Sequence, residues 1–402
     1  MTTEQTTPLQ GYVVLDLATM VAAPYCASIL GEFGADVIKV EMPGRGDLLR
    51  LFGPVSGTGS SFNWLSEGRN KKSITLDLRK PEGAALARRM IERADVVTEN
   101  FRPGTLEKWG LGYDALKVVK SDLVLVSVSA YGQFGPHKDR PGYARIAHGF
   151  SGLAHLSGEP DRAPVVPGAS ALGDYVAGVY AALGTMLALT ARDRFGIGQQ
   201  VDVSLYEGMF RMLDDLVPVY AKYGIVRDRL GPDSTSAVPH SNYKTKDGRW
   251  VSIACSNDRM FARLASAMGR LDLLEPGCFA RVSDRIAHRD EVNRIVGDWV
   301  ATWTSDEVVQ RCLAADVPIG PINTIADIFE DEHVRERGNL VSVDAPGEGP
   351  VVVPNVVPRL TETPGRVNSL GPTLGQHNEE IYCEWLGLST REFEDLRARE
   401  II

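Results

Sequence analysis

Six short runs in the first half of the chain are rich in β-branched and aliphatic residues: YVVLDL (12–17), DVIKVE (36–41), SITLDL (73–78), DVVTEN (95–100), DLVLVSVSAYG (122–132) and QQVDVSLYE (199–207). Runs of this kind read as strands of a parallel sheet buried on both faces. Helix patterns lie between them. One begins at about Pro24, and another, PEGAALARRMIERA (81–94), again opens on proline, the residue favoured at a first helical position. A third runs from Asp174 to about Arg192. This alternation restricts the fold to the α/β class, a parallel sheet wrapped by helices.

The rhythm breaks at GIVRDRLGPDSTSAVPH (224–240), whose glycine, proline, serine and charge mark a linker. Beyond it, YKTKDGRWVSIAC (243–255) predicts a hairpin turning at Asp247-Gly248. Helical patterns follow at about 257–268, 289–303 and 305–315. NLVSVDAP (339–346) and VVVPNVV (351–357) are extended, and the tail from His377 is helical and amphipathic. The expected division is a large domain over 1–224, a smaller α+β domain over 225–330, and a return linker with the C-terminal part of the large domain over 331–402.

Composition narrows the function. A formal net charge of −9 argues against non-specific nucleic-acid binding, while leaving room for a local basic patch. The five cysteines are scattered with no CxxC pair, so no disulfide framework and no metal site is expected, and a cytoplasmic setting fits. The start, MTTEQTTPLQ, lacks the basic and apolar regions of a signal peptide. No run of about 18 apolar residues predicts a membrane span.

The stretch SALGDYVAGVYAALG (170–184) carries an acid, Asp174, where a helix begins. Two readings stand open. Aspartate is a favoured N-cap, and a carboxylate can also attack an activated acyl carbon and hold it covalently. The dinucleotide and P-loop fingerprints are absent. Basic residues do gather near strand ends: Arg45 in PGRGD, Arg69, Lys71 and Lys72 in EGRNKKS, and Arg102 and Lys108 in ENFRPGTLEKWG. Such clusters are commonly solvated faces, but beside strand ends they suit a polyphosphate. Asn100 and Phe101 offer a polar contact and an apolar wall.

Several stretches together carry a resemblance: VLDLATMVAAPYCASILGEFGADVIKVE, RNKKSITLDLRKPEG, ADVVTENFRPGTLEKWGLGYDAL, SVSAYGQFGP, GDYVAGVYAALG, RFGIGQQVDVSLYEGMF and YKTKDGRWVSIAC. They resemble the class III CoA-transferases, the formyl-CoA, carnitine and bile-acid group, from about residue 11 to LGQHNEEI. GEFGADVIKVE, RDRPGYARIAHGFSG, LDDLVPVY and VVVPNVVPRLTETPG are similar to the members that use succinyl-CoA and a dicarboxylate such as malate, citramalate, glutarate or itaconate. The resemblance implies that Asp174 is the nucleophile, the helix dipole keeping it ionised. It implies a CoA site with Asn100 and Phe101 of the ENF motif, a backbone contact at Val21, and Lys108 at a family arginine. Ala22 stands where formyl-CoA transferase has glutamine, Met42 where the family has arginine, and Ser129 where it has lysine. Those departures count against the formyl/oxalyl pair.

Ala22, Arg69, Lys71, Lys72, Arg102 and Tyr131 are further expected CoA contacts, and Tyr131 and Gln133 candidates for the acyl pocket. A second substrate carboxylate needs a cation. Arg145 and His148, three apart, share a face if that segment is helical, although an ordinary ion pair and a packed histidine would explain both. His240 is a further candidate. The family's assembly would be an interlocked homodimer of Rossmann-like domains, with a parallel sheet built from both chain ends plus the smaller domain. No resident cofactor is expected; the CoA thioester enters as substrate. Two other functions remain: an α-methylacyl-CoA racemase type, pairing the aspartate with His148 or His155 as acid and base, and a non-catalytic CoA-binding protein.

Overall fold

The computed structural model describes residues 6–166, 168 and 171–402, so Ser170 and the first five residues lie outside it. Two compact units result. The first comprises residues up to Leu153, Val166–Val219 and Arg335–Ile402; the second comprises Ala154–Val165 and Tyr220–Val334. The smaller unit therefore takes a segment from before the helix Leu172–Phe195, which the boundaries drawn from sequence did not include.

The first unit is built on a six-stranded parallel sheet: β1 (Val13–Asp16), β2 (Asp36–Glu41), β3 (Lys71–Thr75), β4 (Val96–Glu99), β5 (Val124–Ser129) and β6 (Gln199–Ser204). Their spatial order is β3-β2-β1-β4-β5-β6. Side chains alternate between faces with the period of two that a strand dictates. Leu15, Ile38, Ile74, Val97 and Leu125 pack with the helix Pro81–Ile91 and with Ile381, Tyr382 and Phe393 of the C-terminal segment. Val14, Val37, Val96, Val124 and Val126 pack on the other face with the helices Ala22–Glu32 and Leu172–Phe195.

Both chain ends do build this unit, but every strand of the sheet lies between residues 13 and 204. The C-terminal segment covers one face instead. Tyr382 donates its hydroxyl to Thr75 O at 2.7 Å, and Trp64 Nε1 donates to Pro372 O at 2.9 Å. The extended stretches pair as an antiparallel hairpin, Leu340–Ala345 with Gly349–Pro354. The first helix starts at Ala22, two residues earlier than proline suggested, because Val21 already flanks the helical turn.

The helix Leu172–Phe195 is long and apolar enough to cross a membrane by composition alone. Its small buried residues, Ala177, Gly178, Ala181 and Ala182, give another reason for that apolarity. Gly178 is so close to Ala22 O that an added Cβ would lie 2.7 Å from it, so the two helices meet backbone to backbone.

The second unit has a three-stranded antiparallel sheet, β7 (His240–Lys244), β8 (Trp250–Ala254) and β9 (Ile319–Pro321). The helices Asp258–Met268, Arg289–Val300 and Ser305–Ala314 close its core around Val251, Ile253, Phe261, Val296 and Val308.

Candidate active site

In an open parallel sheet, ligands bind beyond the carboxyl ends of the strands, where the strand order reverses. Here that point is between β1 and β4. A cleft of about 230 Å³ lies there, lined by Thr19–Ala22 after β1, Asn100–Pro103 after β4, Ser129 and Ala130 after β5, Lys138, Arg140–Tyr143, and Asp174.

Each wall is anchored. Asn100 Oδ1 accepts the Thr19 N–H at 2.8 Å and its Nδ2 donates to Thr19 O at 2.6 Å, locking the β1 loop to the β4 loop. Met20 sits in the left-handed region at φ 66°, uncommon outside glycine. Its N–H is held by both oxygens of Asp47, at 3.0 and 3.2 Å, and Lys39 pairs with Asp47 at 3.1 Å. Behind Phe101, Glu99 is buried and accepts the Phe101 N–H at 2.9 Å; burial pushes its carboxyl up to about 7.

Asp174 is the third residue of its helix, and the N-cap is Ala171 with no side-chain cap bond. The capping reading therefore falls. Among the described residues nothing hydrogen-bonds its carboxylate, and it is the single acid lining the cleft. Burial pushes its pKa from the ordinary 3.8 up to about 6, so desolvation outweighs the helix dipole that was expected to hold it ionised. At neutral pH it is still mainly the carboxylate.

His148 is fully buried and does not meet the cleft as expected. Its Nε2 accepts the Gly173 N–H at 3.0 Å, fixing the backbone beside Asp174. Accepting that bond requires the neutral ring, and burial, with Arg145 nearby, lowers its pKa. Arg145 is exposed on the helix Ala144–Phe150 and is not a lining residue.

Of the expected CoA contacts, Val21, Ala22, Asn100, Phe101 and Arg102 line the cleft. Arg69, Lys71 and Lys72 do not. Lys71 is buried against Asp16 at 2.9 Å and Pro24 O at 2.6 Å. Arg69 is buried with Glu32 at 3.5 Å and donates to Pro354 O at 2.7 Å; Lys72 pairs with Glu380 at 3.0 Å. The reason is topological. EGRNKKS ends in the first three residues of β3, so its backbone lies at the amino end of a strand, opposite the binding end. Lys108 is exposed on the short helix Thr105–Lys108, outside the lining. Tyr131 instead belongs to a separate aromatic cavity of about 290 Å³, its ring centroid 5.0 Å from Phe150, and Gln133 donates its N–H to Asp202 at 3.0 Å. His240 opens β7 in the second unit and is exposed.

Two cations were missed, Lys138 and Arg140, both at the cleft. They follow β5, and asking which loops leave carboxyl ends would have found them. A smaller cleft of about 80 Å³ shares Thr19 and Phe101 and adds Met42, Arg79 and Trp109; Arg79 is held by Asp77 at 2.8 Å. Among the described residues no cluster of histidine, cysteine, aspartate or glutamate is arranged to hold a metal.

The sequence profile of CoA-transferase family III matches residues 9–378. The chain is 50% identical over 402 residues to a succinyl-CoA–L-malate CoA-transferase β subunit of Chloroflexus aurantiacus, covering 100% of this chain and 99% of that one. It is 40% identical to a succinyl-CoA–D-citramalate CoA-transferase of the same organism, covering 98% of each. A CAIB/BAIF family crystal structure from Brucella suis superposes with a TM-score of 0.84 at 34% identity, over 94% of this chain and 100% of that one.

Proposed function

We propose, from the premise that this chain belongs to CoA-transferase family III, that it moves CoA from succinyl-CoA to a dicarboxylic acid, with Asp174 as the covalent nucleophile. The observation that carries this reading is a partly buried carboxylate without a hydrogen-bond partner among the described residues, alone among cations in the cleft.

In the first step an Asp174 oxygen attacks the thioester carbonyl. The C–S bond breaks, CoA leaves as thiolate, and a mixed anhydride remains on the enzyme. The thiolate then attacks the aspartyl carbonyl, releasing succinate and leaving an aspartyl-CoA thioester. The acceptor carboxylate attacks that thioester, and the freed thiolate takes the new acyl group from the second anhydride. Asp174 is regenerated and no proton is gained or lost. Splitting the exchange this way replaces one difficult transfer by easier ones. Each attack builds an oxyanion. The opening N–H groups of the helix Ala22–Glu32, which have no intrahelical acceptor, flank the same cleft and favour that charge. Desolvation at Asp174 keeps the carboxylate reactive and limits hydrolysis.

A racemase reading would require His148 or His155 as a base; the His148 Nε2 is already taken by the Gly173 N–H in a fully buried position, and the His155 Nε2 meets Asp228 at 3.1 Å. The reading includes an interlocked homodimer, supported by exposed Val179, Leu183 and Leu187 on the helix that carries Asp174. It also includes a cytoplasmic setting, supported by five free cysteines.

The test is exchange between succinyl-CoA and a panel of mono- and dicarboxylates, with acyl-CoA products read by mass spectrometry. New dicarboxyl-CoA products are expected. Absence of exchange with every acid, together with proton exchange α to the thioester, would replace this reading by the racemase one.

A further inference from the structure

Resting on the dicarboxylate reading above, we infer that Arg140 binds the distal carboxylate of both the donor and the acceptor acid. Both acyl groups must visit Asp174 in turn, so one cation near it serves both halves of the exchange. Arg145 and His148, the cations a sequence reading puts forward from the segment before Asp174, are excluded: the first does not line the cleft and the second is fully buried.

Among the described residues three cations line it: Arg102, Lys138 and Arg140. Arg102 also lines a separate crevice together with Glu99 and Glu107, so acids flank it there. Lys138 and Arg140 come from the loop after β5. That loop has an anchored backbone and free side chains. Lys138 N donates to Gly135 O at 3.3 Å and Arg140 N donates to His137 O at 2.9 Å. Gly142 lies so close to the end of β5 that an added Cβ would be 2.7 Å from the Ala130 Cβ, and Pro141 stiffens the backbone between. Arg140 is thus held at a fixed place, while among the described residues no acid pairs with its guanidinium. A planar fork of donors binds a carboxylate with two parallel hydrogen bonds; the single ammonium of Lys138 does not.

The experiment compares wild type, Arg140→Gln, Arg140→Lys and Lys138→Gln in two matched exchanges, succinyl-CoA with a dicarboxylate and butyryl-CoA with a monocarboxylate. Thermal unfolding is recorded for each. For Arg140→Gln the ratio of dicarboxylate to monocarboxylate kcat/KM falls about 10- to 100-fold, the range for losing a hydrogen bond to a charged group. The loss appears mainly in KM for both the donor and the acceptor, and Arg140→Lys recovers part of it. An unchanged ratio, or a ratio that falls for Lys138→Gln and not for Arg140→Gln, overturns the assignment. Wild type that exchanges monocarboxylates and dicarboxylates equally well refutes the distal-carboxylate site, whereas wild type with no exchange at all refutes the transferase reading itself.

Discussion

Replacing Asp174 by asparagine should stabilise this protein while ending its turnover. The carboxylate has an ordinary value of 3.8 and is pushed to about 6 by burial alone. Each tenfold change in an ionisation constant corresponds to about 1.4 kcal/mol, so the ionised form costs the fold up to about 3 kcal/mol. Asp174 is only partly buried, and relaxation and solvent reduce that to about 1–2 kcal/mol. The sign follows from linkage. Above pH 6 both folded and unfolded chains carry the charge, and the folded state bears the full penalty. As pH falls from 6 toward 4 the folded carboxyl binds a proton first, and the penalty disappears. The asparagine amide of the variant has no charge to desolvate at any pH. Urea unfolding at pH 7.5 and at pH 4 measures this directly. The variant is expected to be more stable by about 1–2 kcal/mol at pH 7.5, with the two proteins converging at pH 4. A variant that is equal to or less stable than wild type at pH 7.5 would refute the claim that desolvation dominates at this carboxylate.

The same titration governs rate. Attack requires the carboxylate, so kcat/KM is expected to fall about tenfold per pH unit below about 6, whereas a nucleophile at 3.8 would hold its rate to near pH 4. Lys71→Met leaves Lys39, at 3.8 Å, as the remaining cation paired with buried Asp16, so the expected effect is a loss of about 3–5 kcal/mol in unfolding, with KM for the acyl-CoA unchanged in whatever protein folds. A raised KM with intact stability would put Lys71 back in the binding site. Asp47→Ala releases the left-handed Met20 and the loop before Val21. It is expected to raise KM for the acyl-CoA about tenfold and to cost about 1–3 kcal/mol in denaturant unfolding.

Much of the fold could be read from sequence because its signals are local. Strand runs, Pro81 at a helix start and the Asp247-Gly248 turn each depend on neighbouring residues, and Asp36–Glu41 and Gln199–Ser204 begin where expected. Long-range features were less accessible. That Ala154–Val165 joins the second unit, or that the C-terminal segment caps a sheet face instead of adding a strand, depends on contacts between distant residues. The site shows the same contrast. Asp174 stood out through its motif, and Asn100, Phe101 and Arg102 through their place after β4. Arg69, Lys71 and Lys72 misled because a strand end has a polarity that charge clustering ignores. His148 misled because burial is set by the tertiary fold; its i, i+3 spacing from Arg145 is right for one helix face, yet one residue is exposed and the other fully enclosed. Lys138 and Arg140 carried no motif at all, only a position after β5.

The mechanism turns on covalent attachment of CoA to Asp174. The direct measurement is to mix the protein with succinyl-CoA, quench in acid, digest, and identify the modified peptide by mass spectrometry. A CoA thioester is expected on the peptide containing Asp174, discharged when a dicarboxylate is added before the quench and absent from Asp174→Asn. Continued exchange with no adduct at Asp174, or with an adduct on another residue, would contradict it.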